Sequence, residues 1–349
     1  MRPFGILKRI TTIGLLLAGA PAAVAELNLR AGFQNAALSI DAATHVENTD
    51  PSTISVDTAA SGSDVIAAYL YVSSVWDRPG PDGDVTLNGT FIPEADKLAE
   101  LTPNRNPATT SIYDVTSILE ADIEGGTTSF DYAESGFSDG AVLAVAYRNT
   151  DTQGSTAIIL DGELATGGDS TTLNFAEPYS GGDLIMSLAS SFSFGDRQST
   201  TVDVTTDTTS NRRLTSAAGG NDDANFLGGN GQLMTAGGVD DNPSNPDPFD
   251  QGDDVDDELY NLALGNSEDS TPFVQNGDTF ARFDTENPSN DDNVFGLFFT
   301  ASFTVTDVDD EEIPDDDDPP TAVPEPGALA ILGVGLAGMG LARRRRRSS

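Results

Sequence analysis

Apolar and polar positions run along this chain in short stretches, each bounded by Gly, Pro, Asn, Asp or Ser. Ten stretches combine β-branched or aromatic residues with turn residues at their ends and predict strands. They are Leu27 to Ile40, Asp64 to Val75, Asp84 to Ile92, Thr127 to Tyr132, Ala141 to Arg148, Ser155 to Asp161, Asp183 to Phe194, Thr200 to Thr206, Thr279 to Asp284 and Val294 to Thr306. Two runs inside them, Ala141 to Tyr147 and Ala157 to Leu160, are continuously apolar. That pattern belongs to strands buried on both faces, and Asn149 to Gly154 between the two predicts a hairpin. The expected fold is all-β, a β-sandwich for which a jelly roll is one topology.

The helical period is scarce. Pro93 to Leu101, Asp114 to Ile123 and Asp256 to Leu264 are the short candidates. In the second, Asp114 would be the N-cap and Val115, Ile118 and Leu119 would share a face; all three also read as crossover turns over a sheet edge. Asn211 to Gly252 carries the pairs Gly219-Gly220, Gly228-Gly229 and Gly237-Gly238 with almost no periodicity. It predicts a long Gly/Asp-rich insertion in one domain, residues 26–306, with two domains split near Asp207 as the alternative.

Both ends differ from this body. Arg2, Lys8 and Arg9 precede an apolar stretch, Ile10 to Ala20, and Ala23-Val24-Ala25 forms an A-x-A cleavage site before Glu26. Residues 1–25 therefore read as a signal peptide, its helix removed by signal peptidase through the small side chains Ala23 and Ala25. At the other end, Val323-Pro324-Glu325-Pro326 is followed by sixteen uncharged residues, Gly327 to Ala342, and by arginines beginning Arg343, Arg344, Arg345. The apolar run predicts a short transmembrane helix. Its helical reach of about 24 Å falls short of a hydrocarbon core of about 30 Å, so the expected membrane association is transient, with the arginines cytoplasmic. Asp307 to Ala322, with two acidic runs and two prolines, reads as an extended linker.

The order Pro-Glu-Pro, apolar run, arginine cluster resembles the PEP-CTERM sorting signal. The resemblance implies recognition and cleavage by an exosortase, a membrane cysteine protease-like transpeptidase of Gram-negative bacteria, and a product at the cell surface or in the extracellular polysaccharide matrix. The body also resembles uncharacterised extracellular β-domains of surface-sorted bacterial proteins, through Tyr113-Asp114-Val115-Thr116, Ser138-Asp139-Gly140-Ala141 and Asn287 to Asn293.

Charge narrows the partners. The chain has 17 basic and 56 acidic residues. Three basic residues lie in the leader and five in the tail, and of the acidic ones only Glu325 lies in either, leaving nine positive against 55 negative charges in between. Such a field repels nucleic acid and anionic membrane and attracts cations. No cysteine is present, so disulfides and thiolate metal sites are excluded.

For enzyme chemistry the residues are poor. Gly136-Phe137-Ser138-Asp139-Gly140 matches G-x-S-x-G, but a strand rather than a helix is predicted after it, and the one histidine, His45, precedes it. A multi-histidine zinc site is excluded by the same count. Calcium is better matched. Asp250, Asp253 and Asp254, with Asp247, Asp256 and Asp257, form one oxygen-rich cluster, and Asn290, Asp291, Asp292 and Asn293 form another just before an apolar strand; both also read as solvated acidic turns.

The expectation from sequence is thus an exported structural or adhesive protein of the surface or matrix, without a required cofactor. Bound Ca²⁺ would bridge its acidic face to anionic extracellular polysaccharide or to like chains. The alternative is a secreted carbohydrate-active enzyme or lectin with a carboxylate-lined groove beside the single tryptophan, Trp76.

Overall fold

The computed structural model describes residues 27–44, 52–74, 84–101, 109–134, 140–164, 167–191, 200–218, 234–239, 241–245, 248–249, 258–287 and 293–314. In chain order the strands begin β1 (Leu27–Gln34), β2 (Ala37–Thr44), β3 (Ser52–Asp57), β4 (Asp64–Ser74), β5 (Val85–Leu87), β6 (Thr90–Ile92), β7 (Ala99–Leu101), β8 (Thr109–Asp114), β9 (Thr127–Glu134) and β10 (Gly140–Arg148). They continue with β11 (Thr156–Gly162), β12 (Asp169–Phe175), β13 (Leu184–Ser191), β14 (Thr200–Thr206), β15 (Arg212–Ala218), β16 (Met234–Ala236), β17 (Leu259–Asn261), β18 (Phe280–Glu286), β19 (Asn293–Ala301), β20 (Val305–Val308) and β21 (Glu311–Glu312).

These strands make four antiparallel sheets. Two come from the first part of the chain, β3-β9-β5-β6 and β2-β10-β4-β8-β7. The other two are β1-β11-β19-β13-β16, with β17 also on β13, and β15-β14-β18-β12-β20-β21. Three apolar clusters separate them and fix the stacking order. One lies between the first two sheets, with Val56, Leu70, Leu87 and Tyr132. A second joins the two inner sheets, with Ile40, Tyr71, Val142, Ile159, Phe295 and Phe298. The third lies between the last two, with Leu160, Leu173, Val204, Phe283 and Phe299. The result is two β-sandwiches placed back to back.

This stacking explains the continuous apolar runs. Because side chains alternate across a strand, β10 sends Ala141, Leu143 and Val145 to the outer cluster and Val142, Ala144 and Ala146 to the central one. In β11, Ile158 and Leu160 face one core while Ala157 and Ile159 face the other. Both strands are central in inner sheets, so neither face meets water. They do not pair with each other, contrary to the expected hairpin: β10 lies between β2 and β4, and β11 between β1 and β19. The connection crosses between sandwiches, and Asn149 stabilises it by accepting from the amides of Asp151 and Thr152 at 2.8 and 3.2 Å.

A second crossing breaks the expected strand Leu27 to Ile40 in two. Asn35 takes a left-handed φ of 54°, after which the chain passes from β1 in one inner sheet to β2 in the other. The helix expectations shrink to turns. Pro93 to Leu101 holds a 3₁₀ turn, Glu94–Asp96, and β7. Asp114 to Ile123 holds one helical turn, α1 (Thr116–Leu119), whose first amide bonds Asp114 Oδ1 at 3.0 Å. Asp256 to Leu264 contains β17. Within 211–252, residues 212–218 and 234–236 are strands β15 and β16.

The expected C-terminal transmembrane helix requires correction. Among the described residues no helix is long and apolar enough to cross a membrane. The physical reason is legible in the tail's length, since a sixteen-residue run is too short to span the hydrocarbon core. The run 327–342, like the expected signal peptide 1–25, lies outside the described residues.

The acidic stretch after Thr306 begins inside the fold, not as a linker. Val308 pairs with Leu173 across β20 and β12, and β20 turns back into β21 through Asp309 and Asp310 at φ 49° and 69°. Ile313 then packs into the core at Gly32 of β1, where a Cβ would come within 2.9 Å of its Cγ1. The absence of a side chain at Gly32 is what lets the end of the body close on its first strand.

Candidate functional site

Most residues singled out by sequence fall outside the described part. This holds for Ala23 and Ala25, for Pro324, Glu325, Pro326, Arg343, Arg344 and Arg345, and for Trp76 and His45. It holds also for Asp250, Asp253, Asp254, Asn290, Asp291 and Asp292. Of the second acidic cluster, Asn293 is placed as the first residue of β19, opposite Ser191 on β13. Among the described residues no group of three or more His, Cys, Asp or Glu side chains could hold a metal ion. Of G-x-S-x-G, Gly136 to Asp139 lie outside the described residues, and Gly140 is the first residue of strand β10.

Three polar features stand out among the described residues. The first joins the inner sheets. Asp161 on β11 accepts from Arg30 Nε at 2.6 Å and Nη2 at 3.0 Å, and from the Tyr71 hydroxyl of β4 at 3.0 Å. A β-bulge between Leu29 and Ala31 takes Arg30 out of the regular register of β1. Tyr71 is fully buried, its ring 5.7 Å from Phe295 and 6.0 Å from Phe298. Burial, reinforced by the Asp161 carboxylate, holds the phenol well above its ordinary pKa. Burial alone would lower the Arg30 pKa, but the hydrogen bonds and charge of Asp161 outweigh it and raise it. These three donors converge on one buried carboxylate and link β1 and β11 to β4 of the facing sheet, a structural pin between sandwiches.

The second is a polar groove of about 560 Å³ on the outer sheet, lined by Asp169, Ser170, Asp203, Arg282, Asp284 and Glu286 among others. Its charges are partly neutralised: Arg282 Nη2 of the lining lies 2.7 Å from Asp284, and Arg213 Nε, from outside the lining, lies 2.7 Å from Asp203. Asp169 accepts the backbone amide of Leu27 at 2.8 Å, so the start of β1 is tied to the groove.

The third is a pocket of about 370 Å³ where the two sandwiches meet, built from β2, β13, β17, β19, the end of β3 with Ala59, and Gly237, Gly238, Val239, Asp241 and Pro243. Residues 237–239 lie against both inner sheets. Gly237 N donates to Leu188 O at 3.2 Å and Val239 N to Ile40 O at 2.8 Å. At Gly238 a Cβ would stand 1.9 Å from Ile40 O, a contact no other residue could make without moving backbone. Sequence reasoning missed this pocket because its walls come from six separated segments. The only local signal was the Gly237-Gly238 pair, read there as part of a loop.

No curated protein matches the chain. Residues 322–347, covering the Pro-Glu-Pro, the apolar run and the arginines, match the PEP-CTERM protein-sorting motif.

Proposed function

We propose that the protein is a structural or adhesive component of the cell surface or extracellular matrix, delivered there by exosortase and working as a rigid, strongly acidic double sandwich. The observation that carries the reading is the sorting motif at 322–347, which supports export and surface sorting by the exosortase pathway. The back-to-back sandwiches support the mechanical part. Their central core and the Asp161 pin tie the two halves together, as suits a module that transmits load instead of one that opens around substrate.

Changing both Pro324 and Pro326 to alanine tests the sorting step. The expected result is that the double variant accumulates unprocessed in cells and is lost from the surface fraction, seen by mass and by fractionation. Normal processing of the variant would show the Pro-Glu-Pro to be incidental.

Cation bridging is the finer part of the proposal. The oxygen-rich stretches 247–257 and 290–293 would take Ca²⁺, the second being anchored by Asn293 at the start of β19. An ion binding only the folded state at 100 times its dissociation constant adds about 2.7 kcal/mol. Millimolar calcium is therefore expected to raise the melting temperature by several degrees over sodium chloride of equal ionic strength. A calcium-specific shift that disappears on changing Asp291 and Asp292 to alanine would place the ion at 290–293, and one that survives would place it at 247–257. Equal shifts in the two salts would mean that the clusters are solvated surface.

A further inference from the structure

We propose that Asn88, at the tip of the β5–β6 hairpin, is a modification site where the carboxamide is lost by spontaneous deamidation, with water as the co-reactant. Asn-Gly is the dipeptide that favours this chemistry, because a residue without a Cβ leaves its own amide nitrogen free to approach the preceding carboxamide carbon. The dipeptide occurs at 88–89, 230–231 and 276–277. The second lies outside the described residues. The first and third differ in what holds the attacking nitrogen.

Asn88 and Gly89 are the two central residues of the turn between β5 and β6, at φ 50° and 71°, the left-handed pair of a type I′ hairpin. Strand pairing runs through Leu87 and Thr90, outside them. Both turn residues are exposed, and a Cβ at Gly89 would meet nothing within 4 Å. The strand β6 ends its sheet and is three residues long, so this corner opens locally at small cost and the turn can leave its left-handed form. Gly89 N then attacks Asn88 Cγ. The bond from Cγ to Nδ2 breaks, and ammonia leaves with the proton of the Gly89 amide. Water opens the resulting cyclic imide at either carbonyl, giving aspartate or isoaspartate.

Two contacts restrain Asn88. Its backbone N donates to Asp131 O at 2.9 Å, and its Nδ2 donates to Asp122 Oδ2, on the turn after α1, at 2.6 Å. Neither engages Gly89 N. The new carboxylate would face that of Asp122 and repel it. Aspartate suits the same turn, whereas isoaspartate adds a methylene to the backbone and breaks the two-residue geometry. Asn276 is exposed too, but there the attacking nitrogen is occupied: Gly277 N donates to Tyr179 O at 2.8 Å. The next residue, Asp278, is fully buried. Its backbone N donates to Gln275 O at 3.0 Å, and its carboxylate accepts from the Thr208 amide at 3.0 Å and from the Thr208 hydroxyl at 3.1 Å. That turn is locked to the body, and the β5–β6 tip is not.

The experiment is timed incubation of the full chain in warm, mildly alkaline buffer, with peptide mapping by mass spectrometry to follow each asparagine. Asn88 is expected to convert to aspartate and isoaspartate about tenfold faster than Asn276, since each further hydrogen bond that must open lowers the reactive population severalfold. Asp122→Ala frees the carboxamide and should speed conversion at Asn88 severalfold while leaving Asn276 unchanged, a melting curve confirming that the variant is folded. The comparison of the two asparagines within the unaltered chain needs no variant. Equal rates at the two, including no conversion at either, or faster conversion at Asn276 would overturn the proposal. An unchanged rate at Asn88 in folded Asp122→Ala would overturn the restraint assigned to Asp122.

Discussion

Changing Asp161 to alanine is expected to be among the most damaging single substitutions in the body, lowering its stability by about 3–5 kcal/mol. The side chain is almost fully buried and neutralises Arg30 through two hydrogen bonds. Without it the guanidinium stays in the protein between two cores, and the Tyr71 hydroxyl, also buried, loses its acceptor. The cost is chiefly that of leaving a charge and a hydroxyl unpaired away from water. For a domain of this size it corresponds to a fall of about 10 °C in melting temperature. Tyr71→Phe removes a donor without orphaning a charge and should cost about 1 kcal/mol. Replacing Arg30 by methionine together with Asp161 by leucine should recover much of the loss, because no buried charge remains. If Asp161→Ala costs no more than Arg282→Ala, whose ion pair is half exposed, the pin does not hold the sandwiches together.

Ending the chain at Thr306 instead of Pro314 is the second large effect expected. The eight residues look like spacer, yet they finish a sheet. Val308 and Ile313 are buried to within a few per cent, and burying an aliphatic side chain of this kind contributes about 1.5–3 kcal/mol. The same segment exchanges backbone bonds with β12, Asp309 N donating to Thr172 O at 3.0 Å while the Thr172 amide donates to Asp309 Oδ1 at 2.8 Å. Ile313 N closes the hairpin on Thr306 O at 2.8 Å. Truncation should therefore cost about 4–6 kcal/mol and expose the apolar side of β1 at Gly32. Thermal melting of residues 26–306 against 26–314 should show a gap of 10 °C or more, by the same scaling. Coincident curves would return 307–314 to the linker.

These two predictions mark what could and could not be read from residues. The β class and the burial of β10 and β11 on both faces were written in Ala141 to Tyr147 and Ala157 to Leu160, since strands with no polar face can only lie inside. The four-layer stack was not. Whether two doubly buried strands share a sheet or stack in neighbouring sheets depends on a crossing at Asn149 to Gly154 whose residues suit a hairpin equally well. The closing hairpin was hidden by composition: Asp309-Asp310-Glu311-Glu312 has the charge of a solvated spacer, and only Val308 and Ile313 report burial. Strands β16 and β17 were missed because at three residues each they are too short to show an alternating pattern, and β15 because Leu214 is its one large apolar residue. The sorting tail was legible because its three parts act in sequence order, without a fold to bring them together. A pocket assembled from distant segments leaves no such trace.

The most direct measurement of the account is the intact mass of the protein recovered from the cell surface. Export and sorting predict a product that begins at Glu26 and has lost the residues after the Pro-Glu-Pro, including all five terminal arginines. A surface protein with the mass of the complete chain, leader and arginine tail retained, would contradict it.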